Sequence, residues 1–159
     1  MNTSLAWLLN PEVPTRKQAL PPDASTIPAS ERKLEISVLF TSRESTIAAV
    51  RRAAAMLKGL DGRISLIDVQ TVPYPLPLDR PPVALDFTQR RLLAIAAESE
   101  LESKASVYFC RFRWETLLRI LKPGSAIVIG TRKRWWTSRE KKLARKLQRA
   151  GYQTLVVEA

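Results

Sequence analysis

The sequence predicts an α/β protein, a three-layer αβα sandwich around a five-stranded parallel sheet. Three observations lead there. Five short apolar, β-branched-rich runs recur along the chain, at Leu34–Thr41, Ile64–Val69, Ala105–Arg111, Ala126–Gly130 and Tyr152–Val157. Between them lie four segments whose apolar residues repeat with helical spacing. The alternation β-α-β-α-β-α-β-α-β demands parallel strands with right-handed crossovers, which puts helices on both faces of the sheet.

Each element has a local reason. LEISVLFT has the near-continuous hydrophobicity of a strand buried on both faces. Ser42-Arg43-Glu44-Ser45 offers hydroxyls for an N-cap. Ile47, Val50, Ala54 and Leu57 then fall on one helical face, and Gly59 is placed to end that helix. ISLIDV (64–69) reads as the second strand. The connection from Thr71 to Leu85 carries Pro73, Pro75, Pro77, Pro81 and Pro82, so it is predicted to run extended over the surface. Asp86 and Gln89 have the spacing of a capping box for the next helix, with Leu92, Ile95 and Ala96 as its inner face. After ASVYFCR, the stripe Trp114, Leu117, Leu118, Leu121 predicts a short helix stopped by Lys122-Pro123-Gly124. Thr137 and Glu140 predict a capped last helix with Leu143, Leu147 and Ala150 on one side. Residues 1–33 are interrupted by Pro11, Pro14, Pro21, Pro22 and Pro28 and read as a flexible tail, with residues 34–159 as the domain. Leu5–Leu9 in that tail is a small apolar patch.

Composition narrows the function. The chain has 159 residues, no histidine and a single cysteine, Cys110. Histidine-based acid–base chemistry, Ser-His-Asp triads and His-ligated zinc are excluded. No intramolecular disulfide can form. Cys110 reads as a buried, inert thiol. Asp61, Asp68, Asp79 and Asp86 are scattered without metal-ligand spacing, and no Walker A or dinucleotide glycine fingerprint occurs. No catalytic or metal-binding residue is therefore assigned, and the expectation is a protein that is not an enzyme. No apolar run approaches the ~18 residues of a membrane span, and the start lacks the pattern of a secretory signal. A cytoplasmic location is expected.

The net charge is +11, which favours acidic partners. Half of the 26 basic residues lie between Arg111 and Arg149, among only two acids, Glu115 and Glu140. The densest part is Arg132-Lys133-Arg134-Trp135-Trp136 followed by Arg139, Lys141, Lys142, Arg145, Lys146 and Arg149. Cations beside aromatic rings suit nucleic acid through phosphate attraction and base stacking. They equally suit an anionic lipid surface. A solvated helix face with the tryptophans packed inward accounts for the same residues, and the sequence leaves all three open.

The order of elements from 34 to 158 resembles the universal stress protein family. The likeness rests on the hydroxyl-rich turn Thr41-Ser42 after the first strand and the long connection after the second. It also rests on the helix and strand LLRILKPGSAIVIGTR and on the closing strand TLVV. It implies the strand order 3-2-1-4-5. Ligands of such sheets bind beyond the carboxyl ends of the strands where the order reverses, here between the first and fourth strands. The implied crevice is lined by Thr41, Ser42, Arg43, Gly130, Thr131, Arg132 and Lys133, with Thr137 and Ser138 opening the last helix and two helix N-termini favouring an anion.

Nucleotide-binding members carry Gly-x-x-Gly, nine residues, then Gly-Ser or Gly-Thr. Gly130 fits the first position, but Lys133 and Leu143 stand where the later glycines belong, and Thr41 replaces an acidic residue at the end of the first strand. Backbone approach to phosphate is lost with those glycines. ATP or another adenine nucleotide would have to be held by Lys and Arg side chains, and the sequence argues more against such a cofactor than for it. The resemblance further implies a homodimer in which fifth strands meet through Leu155, Val156 and Val157. The expectation is a non-catalytic regulatory or interaction module with a degenerate nucleotide or anion site. The alternative is a nucleic-acid or anionic-surface binder using Arg132–Arg149.

Overall fold

The computed structural model describes residues 33–79, 81, 83–133 and 138–159. All of the predicted tail except Lys33, including its Leu5–Leu9 patch, lies outside them, as do Pro82, Arg134, Trp135, Trp136 and Thr137. The strands are β1 (Leu34–Leu39), β2 (Gly62–Thr71), β3 (Ser103–Cys110), β4 (Ala126–Thr131) and β5 (Gln153–Glu158). They alternate with helices α1 (Arg43–Leu57), α2 (Leu85–Ala96), α3 (Arg113–Ile120) and α4 (Arg139–Arg149). All pairings are parallel and the order is β3-β2-β1-β4-β5, as expected.

Side-chain alternation divides the interior in two. On one face Ile36, Val38, Ile64, Leu66, Val107, Phe109 and Val128 pack under α1 and α2. On the other Leu39, Ile67, Val69, Ile127 and Ile129 pack under α3 and α4. The second face is covered less completely, because α3 has only eight residues, about 12 Å of helix, against the ten residues of β2.

Several helix details differ from expectation. The buried stripe of α1 is Ala49, Val50, Ala53 and Leu57. Ile47 and Ala54 are only partly buried, because the helix lies closest to β4, where small alanines permit near approach. Ser42 does cap α1, accepting from the Ser45 amide at 3.4 Å, and Gly59 (φ +79°) takes the left-handed turn that ends the helix. No capping box forms at α2. Its N-cap is Ala84, and Asp86 sits within the first turn. The cap of α4 is Ser138, whose hydroxyl accepts from the Lys141 amide at 3.2 Å. Of the expected inner face Leu143, Leu147 and Ala150, Leu147 is buried and Leu143 partly buried against the core, Ala144 joins them, and Ala150 is exposed at the helix end. In α3 Leu117 and Leu121 are buried, whereas Leu118 points outward.

The proline-rich β2–α2 connection is anchored rather than loose at its start. Arg111, just past β3, donates to the carbonyls of Val72 (2.7 Å) and Leu76 (2.6 Å). Its guanidinium also stacks on Tyr74 at 4.1 Å.

Candidate functional site: an arginine-lined crevice at the carboxyl edge of the sheet

In a parallel αβα sandwich every helix begins at the carboxyl edge of the sheet. Here α1, α3 and α4 each begin with arginine, at Arg43, Arg113 and Arg139. A cation at a helix N-terminus opposes the macrodipole, at a cost of roughly 0.3–1 kcal/mol each. Each shares its first turn with a glutamate, Glu44, Glu115 and Glu140, so any pull on an anion depends on where the guanidinium groups gather rather than on the net charge of the edge.

A crevice of about 410 Å³ opens there, beyond the ends of β1 and β2 and against the start of α4. Phe40, Thr41, Val69 and Leu143 form its walls, and Arg91, Arg113 and Arg139 bring guanidinium groups to it. Arg113 and Arg139 have no hydrogen-bonded or ion-paired carboxylate among the described residues. Arg91 lies over the Phe40 ring at 4.5 Å, a cation–π contact that fixes its plane.

Asp68 lies at the crevice and is only 4% exposed. It shares the sheet face of Ile64 and Leu66, so a carboxylate occupies a core-facing position at the open end of β2. Gln70 Nε2 donates to it at 2.7 Å, and Arg91 approaches at 3.6 Å. Burial pushes its carboxyl above the ordinary aspartate range. The Gln70 hydrogen bond and the Arg91 and Arg113 charges oppose this without cancelling it.

The residues expected to line the β1–β4 switch point are engaged with one another. Thr41 Oγ1 donates to the Gly130 carbonyl at 2.8 Å, closing the gap between those strands. Ser42 is the α1 cap. Thr131, 1% exposed, shares a 3.0 Å hydrogen bond with the α4 cap Ser138. Arg132 pairs with Glu44 at 3.2 Å, and Lys133 is exposed. Gly130 has a packing role: a Cβ there would collide with the Ser45 backbone carbonyl, so α1 seats directly on β4. Of these residues only Thr41 lines the crevice, which is displaced toward β2.

Asp68, Gln70, Arg91 and Arg113 were not singled out as site residues from the sequence. A charge at core parity within ISLIDV was the available signal for Asp68. Arginine in first helical positions was the signal for Arg113 and Arg139.

On the outer face of α4, Lys142, Arg145 and Arg149 are exposed. Lys141 pairs with Glu158 at 2.8 Å, and Lys146 rests on the Trp114 ring at 4.0 Å. Among the described residues no group of three or more acidic, cysteine or histidine side chains could hold a metal ion. No helix among them is long and apolar enough to cross a membrane.

The chain is similar to a crystal structure of a protein from the universal stress protein family from Burkholderia pseudomallei. The two share 17% identity over 79% of this chain and 96% of the other, with a TM-score of 0.52. At that identity the likeness establishes the fold. No family model and no curated protein matches the chain.

Proposed function

We propose that this protein is a non-catalytic regulatory module of universal-stress-protein-like fold whose carboxyl-edge crevice binds a small anionic ligand. The carrying observation is the convergence of Arg91, Arg113 and Arg139, from three different helices, on one crevice. Its volume lies within the roughly 300–1,000 Å³ range of small-molecule sites. Arginine forks match phosphate or carboxylate oxygens in pairs, and the buried Asp68–Gln70 pair offers a hydrogen-bonding group deeper in. The expected phosphate-binding glycines are replaced at Lys133 and Leu143, so side chains rather than backbone amides carry the anion. Among the described residues no nucleophile with an adjacent base lines the crevice, which favours binding over turnover. A homodimer joined through β5 belongs to the same reading.

A thermal-shift screen with ATP, AMP, cyclic nucleotides and inorganic phosphate tests it. A ligand at 100 times its Kd adds about 2.7 kcal/mol, a rise on the order of 5–10 °C. The rise should vanish in an Arg113→Ala/Arg139→Ala variant. It should persist in Arg145→Ala/Arg149→Ala, which removes the same charge from the outer face of α4. The reverse pattern would transfer the anion site to the basic helix and favour a polyanion-binding surface. No rise with any ligand would reject the crevice.

A further inference from the structure

The α3/α4 face of the sheet carries a second recess, separate from the crevice and near the amino ends of β1–β3. It has a volume of about 210 Å³ and lies where the short α3 stops covering the strands. The central strands of a parallel sheet are normally apolar on both faces. Here the inward positions on this face are Glu35 and Ser37 of β1, Arg63 and Ser65 of β2, and Lys104 and Ser106 of β3. Strand register sets Ser37 beside Ser65 and Ser65 beside Lys104.

An ordinary solvated sheet face would leave such side chains open to water. Ser37 and Ser65 are instead only 7% and 8% exposed. Two groups lining the recess, Ser125 Oγ and Arg63 Nε, are buried without a hydrogen-bond partner among the described residues. Enclosed polar atoms left unpaired cost about 1–3 kcal/mol each. Two of them at one recess, beside two nearly buried serines, are an unmet demand for hydrogen bonds.

The demand has a sign. The one carboxylate at the recess, Glu35, is already held by Lys122 (2.7 Å) and Arg63 (3.2 Å). Burial disfavours its charge, yet those two hydrogen bonds prevail and hold its carboxyl below the usual range. Lys104 has no carboxylate partner among the described residues. Arg63 Nε can only donate, and each serine hydroxyl can donate. Ile67 and Ile120 add apolar wall. The volume falls below the roughly 300 Å³ at which drug-sized ligands begin to fit, so a nucleotide is too large.

We infer that this recess is a second ligand site, for a small organic oxyanion such as a phosphate monoester or a carboxylate. Ser37, Ser65 and Ser125 donate to its oxygens, and Lys104 and Arg63 balance its charge. The site stands on residues distinct from the crevice and does not depend on the reading given to it.

Two-dimensional amide NMR of the full chain tests the site, with inorganic phosphate and succinate as probes and sodium chloride at matched ionic strength as reference. Saturable shifts are expected at the amides of Ser37, Ser65 and Ser106. They should persist in Arg113→Ala/Arg139→Ala, which separates this site from the crevice. Phosphate-only or succinate-only shifts identify the oxyanion class. Ser37→Ala/Ser65→Ala should weaken binding at least about tenfold, as the loss of hydrogen bonds to a charged ligand implies. That variant should melt close to the parent, since each Ser→Ala change removes a single hydroxyl. Shifts absent with both probes, equalled by chloride, or unchanged in Ser37→Ala/Ser65→Ala would overturn the proposal.

Discussion

Asp68 sets the chemistry of the crevice. Its carboxyl is raised above the ordinary range by burial, so folding favours its protonated form. The stability this group contributes is complete below its unfolded pKa, ordinarily 3.8, and is lost as pH rises through the higher folded value. Asp68→Asn keeps an acceptor for Gln70 and removes the buried charge. The variant is expected to match the wild type near pH 3 and to exceed it in stability increasingly as pH climbs toward neutrality. Urea denaturation as a function of pH measures this, and a constant difference at all pH values would show that Asp68 does not titrate as described. The same substitution removes a negative charge from among three arginines, so the ligand-induced thermal shift should grow.

The elements were largely legible in the sequence, and the crevice was not. Five strands, four helices and the Ser42 cap follow from spacing and hydroxyl placement within a dozen residues. Asp68, Arg91, Arg113 and Arg139 meet only because β2 lies beside β1 and three helices start on one edge. No local pattern encodes that meeting. The glycine at 130 was readable as a phosphate-loop remnant, but its packing against Ser45 required the position of α1 over β4. Gly130→Ala should therefore cost about 3 kcal/mol or more, at the upper end of overpacking penalties, in both the presence and absence of ligand. Chemical denaturation checks this. A near-neutral substitution would mean that α1 can lift from β4 at little cost.

At the scale of the whole molecule, β5 pairs with β4 and has no strand on its other edge among the described residues. Leu155 and Val157 pack toward α1 and Val156 toward α4, so the side chains are half-buried while the edge itself is open. Open apolar edges invite pairing with another copy. Size-exclusion chromatography with light scattering should give twice the mass of one chain. A monomer that persists at high concentration would remove the homodimer from the proposed function. The free cations of α4 are compatible with a polyanionic partner, but Lys141 and Lys146 already have internal partners, which reduces the charge that face presents.

The two-sidedness of β1 and β2 has a consequence for how the chain finds its fold. Ile36, Val38, Ile64 and Leu66 look one way, and Glu35, Ser37, Arg63 and Ser65 look the other. Either strand slipping by a single residue would drive a charge and a hydroxyl beneath α1 and α2. An all-apolar strand could hide such an error. These strands cannot, so the polar rows make a misaligned pairing costly and hold the register of β1 and β2 to the one observed.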